Sequence, residues 1–198
     1  MNTRTSFRNL AGLIIGAVCA LATAACGGEL LRTGRAPVYL VVTDVTAGMD
    51  GQELASFLLS DVITGGSAVN DNVRVGLRLE PKNPTATTTA INSVTLTRYD
   101  VVFRRTDGRN RPGTDVPYGF SGALSSTLAV GGEGGVTFVL VRHQSKREPP
   151  LANIEGGGGL RLLSTIADIT IYGRDQNGND VMVKASIDVH FGDFADPE

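Results

Sequence analysis

Few side chains in this sequence are typed and spaced for chemistry. Its 198 residues hold two cysteines, Cys19 and Cys26, and two histidines, His143 and His190. No His-x-x-x-His, Cys-x-x-Cys or His–Glu pairing occurs, so zinc has no ligand set. Asp175, Asn177, Asn179 and Asp180 place oxygen ligands at near-alternate positions, as calcium loops do. Gly178 comes earlier than the EF-hand order requires, and the distant Glu is missing. Asx residues also build hairpin turns by bonding their own backbone, and the turn is the favoured reading here. Gly119-Phe120-Ser121-Gly122-Ala123 fails the nucleophile-elbow pattern at its last position, and no spacing joins Ser121 to a histidine. No catalytic residue, metal or cofactor is expected.

Other candidates concern binding. The glycine tracts at 131–135 and 156–159 lack the Gly-Lys-Ser/Thr ending and the dinucleotide spacing of phosphate loops. Arg104, Arg105, Arg109 and Arg111 cluster around one turn, and Arg142, His143, Lys146 and Arg147 around another. The first has the charge to hold an anionic glycan or lipid headgroup, but solvated strand ends are the expectation. With no Trp and four Tyr, the chain has little to stack on a sugar; Tyr118, in a loop-rich stretch, is the best candidate contact. Aromatic residues do not interleave with the basic ones, so nucleic acid is not an expected partner.

Cys26 stands apart. Arg4 and Arg8 precede sixteen uncharged residues, 10–25, which end in small side chains. Basic, apolar, then small is the order of a secretory signal peptide. As a helix the apolar run would be about 24 Å long at ~1.5 Å per residue, short of a hydrocarbon core of roughly 30 Å, so a permanent span is the weaker alternative. Leu21-Ala22-Thr23-Ala24-Ala25-Cys26 resembles the lipobox of bacterial lipoproteins: Ala24, Ala25 and Cys26 match, and Thr23 stands where an aliphatic residue is usual. The resemblance implies that Cys26 is acylated, palmitate included, and becomes the first mature residue. Ordinary cleavage after Ala22-Thr23-Ala24 competes with it. That cleavage would leave Cys26 unpaired in an oxidising compartment, because Cys19 departs with the signal.

These boundaries give a helical signal peptide over 1–25, a lipidated N-terminus and flexible tether over 26–36, and one domain over 37–194. The chain has 18 Lys and Arg against 20 Asp and Glu; Arg4 and Arg8 lie in the leader and no acid does, so the remainder carries a formal charge of −4. That is ordinary for a soluble surface.

The domain reads as β throughout. Residues 37–43 are apolar on both faces, 46–52 read as a turn, and 54–63 as one helical turn running into a short strand. Residues 72–80 alternate strictly, with Val73, Val75, Leu77 and Leu79 on one side. The Pro- and Thr-rich run 81–89 is a loop. In the strand predicted over 94–105, Val94 and Leu96 fall out of phase with Tyr99, Val101 and Phe103, which calls for a bulge or a change of sheet near Thr97-Arg98. Extended pieces are expected at 116–120, 124–130 and 136–143, with 131–135 as a tight connection. Residues 149–154 suit one helical turn crossing from sheet to sheet, and 156–159 a hinge. Alternation at 167–174 and 181–191 flanks Asn177-Gly178, a strong hairpin signal.

Seven to eight short strands without a long helix predict an all-β, antiparallel β-sandwich. The ending from Ile169 through Tyr172 and Asp175 to Gly178-Asn179 resembles the last hairpin of immunoglobulin-like or fibronectin-III-like domains in bacterial surface proteins. The antibody cysteine pair and core Trp are absent, so the resemblance implies only an immunoglobulin-like sandwich. A non-enzymatic structural or protein-interaction module, exported and lipid-anchored to the cell envelope with an envelope protein as partner, is the expected function. A carbohydrate- or cell-wall-binding module is the alternative. In a Gram-negative host, Gly27 after the cysteine favours the outer membrane.

Overall fold

The computed structural model describes residues 34–49, 54–156 and 161–194. Cys26, the signal segment and most of the expected tether lie outside these, as does most of the 156–159 hinge. Eight strands form two sheets among the described residues. One holds β1 (Val38–Met49), β3 (Asp71–Pro81) and β6 (Glu133–Val141), in the order β1-β3-β6. The other holds β2 (Phe57–Asp61), β4 (Val94–Arg104), β5 (Phe120–Leu128), β7 (Leu163–Asp175) and β8 (Asp180–Gly192), in the order β2-β8-β7-β4-β5. The fold is therefore an all-β, two-sheet sandwich.

Alternation sorts side chains between core and solvent. Val73, Val75, Leu77 and Leu79 of β3 are buried and face Val101, Ile169, Ile171 and Val189 of the other sheet in one core. Tyr99 crosses the gap to Phe138, with ring centres 4.1 Å apart. The phase conflict in β4 is resolved by a bulge: Leu96 pairs with Gly173 and Arg98 with Tyr172, leaving Thr97 without a partner on β7. That extra residue lets Val94 and Leu96 point inward together with Tyr99 and Val101.

Five expectations are corrected. No helical turn opens 54–63: Ala55 bridges Ala47, and β2 follows from Phe57. The sandwich is not purely antiparallel, because the short edge strand β2 runs parallel to β8. β1 extends through 46–49, which pair with β3, so the turn expected at 46–52 begins later. No strand occupies 116–119; Val116 instead closes a small loop by bridging Pro112, and β5 starts at Phe120. Gly134 and Gly135 belong to β6, where they pair with Leu77 and Gly76, because β3 supplies a ladder that glycine satisfies as well as any residue. The crossing from β6 to β7 does carry a helical turn, the 3-10 segment Leu151–Asn153. Ala36 is already buried, and Lys82 holds the Gly34 carbonyl at 3.2 Å, so order reaches into the expected tether.

Register defines two ends. Val38, Pro81, Glu133, Val94, Leu128 and Asp175 gather at the end where the chain enters. Asp71, Val141, Arg104 and Leu163 lie at the other, with the loop 105–119 and the β6–β7 connection.

Candidate functional site

The far end contains a buried polar cluster of Ser60, Asp61, Asp71 and Lys146. A one-turn helix, His143–Lys146, follows β6 and turns Lys146 inward, where only 1% of it is exposed. Its ammonium donates to the Asp61 carbonyl at 2.6 Å and to the Asp71 carboxylate at 3.1 and 3.0 Å. Ser60 donates its hydroxyl to Asp71 at 2.6 Å. Asp61 in turn accepts the Phe194 N–H at 3.0 Å and the Thr64 hydroxyl at 3.1 Å. One residue before Asp71, the Asn70 amide oxygen accepts the His143 N–H at 2.7 Å. The cluster ties the end of β2, the start of β3, the helix after β6 and the exit of β8, so it links both sheets. Burial raises the proton affinity of Asp71, and the neighbouring ammonium opposes this only in part. The ammonium is held by the Asp61 carbonyl and by both oxygens of Asp71, and the side chains of Lys146 and Asp71 are fully buried, so the arrangement acts as a clasp.

The sequence puts Lys146 in a run expected to be solvated, and its burial corrects that expectation. The sequence shows a lysine in a basic run; only the fold shows that the chain folds back over it. A faint signal existed in Asp71, an acid at the first position of a strand whose inward residues are all apolar.

The other candidates separate. Asp175 Oδ1 accepts the N–H groups of Asn177 and Asn179 at 2.9 and 2.8 Å, and Oδ2 accepts the Asn179 side-chain amide at 2.8 Å. Gly178, at φ 82°, donates to the Asp175 carbonyl, and Asp175 N–H returns to the Asn179 carbonyl. This is a three-residue hairpin loop with glycine in the left-handed position. Asp180 pairs with Arg174 at 2.8 Å. Asp175→Ala should lower stability by about 1–3 kcal/mol in urea denaturation. A rise in the wild-type midpoint on adding calcium would instead make the carboxylate a ligand. Among the described residues, no three His, Cys, Asp or Glu side chains gather closely enough to hold a metal ion.

The hydrogen bonds of the histidines go to residues other than Ser121. His190 Nδ1 lies 3.0 Å from the Ser164 hydroxyl, on neighbouring strands. His143 bonds Asn70. Ser121, on the edge strand β5, offers its carbonyl to Arg142 at 2.7 Å, and that guanidinium lies 3.8 Å from the Phe120 ring centre. Tyr118 is 54% exposed and lies across Gly113, whose positive φ of 74° opens the loop there. In the same loop Asp107 bonds Arg105 and Arg109, which lowers its proton affinity; Asp115 is lowered by Arg111, chiefly through the backbone N–H. Arg104 is held by Asp168 on β7 at 2.6 Å.

No protein-family model matches the chain, and comparison with curated proteins finds no match.

Proposed function

We propose that this protein is a lipoprotein of the bacterial cell envelope, whose immunoglobulin-like sandwich acts as a non-enzymatic structural or interaction module held to a membrane through Cys26. The observation that carries the proposal is the cysteine arrangement. After Cys19 in the apolar segment, Cys26 is the last cysteine in the chain, so the domain offers it no disulfide partner. Acylation gives the residue a use that fits the small residues before it. Attachment by two or more acyl chains is stable, at ~0.8 kcal/mol per buried CH₂.

The twelve residue steps from Cys26 to Val38 reach at most about 43 Å when extended, which keeps the domain close to the bilayer. The chain enters the sandwich at the end that carries the loop after β3 and the Asp175 turn. The opposite end is the one presented to partners. The immunoglobulin-like character rests on the Tyr172 strand leading into the Asp175 turn.

Cys26→Ser is the test. The variant should lose metabolic palmitate labelling and move from the membrane to the soluble fraction of exported protein. A variant that keeps both label and membrane association sinks the proposal.

A further inference from the structure

We propose that the groove between the loop 105–119 and the connection leading into β7 binds an oxyanion, a carboxylate or a phosphate carried on a small molecule. Arg105 and Arg109 line it from the loop and Arg161 from the connection, over the buried apolar side chains Ile154 and Leu163, in a volume of about 240 Å³. These guanidiniums come from segments about fifty residues apart, and the fold alone makes them neighbours.

Arg105 is held by Asp107 through Nε and Nη2, while the donors of Arg109 and Arg161 are mostly uncommitted. Arg161 gives one N–H to the Asn153 carbonyl at 3.0 Å and makes no ion pair among the described residues. A guanidinium has five N–H donors in a planar fork. Arg109 meets Asp107 through Nε at 3.2 Å, which leaves both terminal nitrogens, and its side chain is 68% exposed. Asp115 is the one carboxylate lining the groove, and its Oδ2 already accepts two N–H groups of Arg111. With Asp107 and Arg111 counted, four guanidiniums meet two carboxylates. Planar donors in excess match the paired oxygens of a carboxylate or phosphate better than a point charge does. The apolar floor shields those bonds on one side and strengthens them.

The groove lies at the end of the sandwich opposite Val38, and the inference stands without the lipid anchor at Cys26. Its size suits one sugar ring or a small polyacid.

The test titrates the full-length protein in detergent with inorganic phosphate in one arm and glucuronate in the other, followed by NMR of backbone and arginine side-chain N–H signals. Saturable shifts are expected, confined to residues 105–115 and 161–163, and weaker as salt is raised from about 50 to about 300 mM. Arg161→Ala and Arg109→Ala should each weaken binding at least about fivefold. Arg104→Ala, whose guanidinium is held by Asp168 away from the groove, should leave it unchanged. Saturation by phosphate alone or by glucuronate alone supports the site and names its oxyanion. Shifts that saturate with neither, or an equal loss in Arg104→Ala, overturn it.

Discussion

Replacing Lys146 with methionine is expected to cost the fold about 3–5 kcal/mol near neutral pH, read as a lower midpoint in urea denaturation. Methionine fills much of the same space but carries no donor. Asp71 then keeps a buried carboxylate with only the Ser60 hydroxyl as partner, and the Asp61 carbonyl loses its ammonium. The penalty comes from the uncompensated charge, and it follows that the penalty depends on pH. A carboxyl whose folded pKa is raised contributes its full stability below its ordinary value, 3.8 for Asp71, and loses that contribution as pH rises through the raised value. Without Lys146 nothing positive opposes desolvation, so Asp71 holds its proton to higher pH still. The deficit of Lys146→Met should therefore shrink toward acid. Adding Asp71→Leu and Ser60→Ala removes the buried charge and its donor together, and most of the loss should return. A deficit below about 1 kcal/mol, or one that does not change with pH, would show that the cluster is not what joins the two sheets at this end.

The second large effect belongs to Tyr99. Tyr99→Ala should remove about 3–5 kcal/mol, because it empties the contact that closes the sandwich between β5 and β6. The tyrosine ring stacks against Phe138 of the other sheet and meets the Phe120 ring edge-on at 6.1 Å. It also lies over Gly122, its partner across the ladder, where any Cβ would enter the ring. Tyr99→Phe keeps the ring and should stay within about 1.5 kcal/mol of wild type. Gly122→Val alone should cost about 1–3 kcal/mol through that clash. Combined with Tyr99→Ala it meets an empty site, so the double variant should lose clearly less than the two single losses together. Additive losses in urea denaturation would mean that the ring does not cover Gly122.

Much of this architecture is legible without coordinates. The inward set of β3 reads directly from residues 72–80, and the hairpin of β7 and β8 from the alternation on either side of Asn177-Gly178. Even the bulge at Thr97 follows from the phase conflict between Leu96 and Tyr99, because a strand can restore phase only by adding a residue. The errors have a shared origin. Residues 46–49, Gly134 and Gly135 look like turns by composition, yet β3 offers each a ladder, and tertiary pairing overrides weak local preference. Residues 116–119 err the other way: they look extended, but Val116 spends its backbone bond on Gly113 within its own loop.

The candidate site divides along the same line. Asp175 is legible as a turn former because its bonds reach only two and four residues along the chain. The clasp is not, since Lys146 meets Asp61 and Asp71 across 85 and 75 residues. The groove is half legible: three arginines in one loop stand out, while Arg161 joins them only through the path of the β6–β7 connection.

The sequence by itself determined which residues alternate, where the last hairpin turns, and that Cys26 has no cysteine to pair with in the domain. Those properties depend on neighbours along the chain or on composition, and the pleat converts them directly into faces. Only the tertiary structure decided that β2 runs parallel beside β8, that Lys146 lies inside, and that Arg161 faces Arg105 and Arg109. A charged side chain carries no local mark of whether it will be solvated or enclosed. That depends on which distant groups the two sheets bring to meet it, and here they bring Asp71 to Lys146 and, among the described residues, no carboxylate to pair with Arg161.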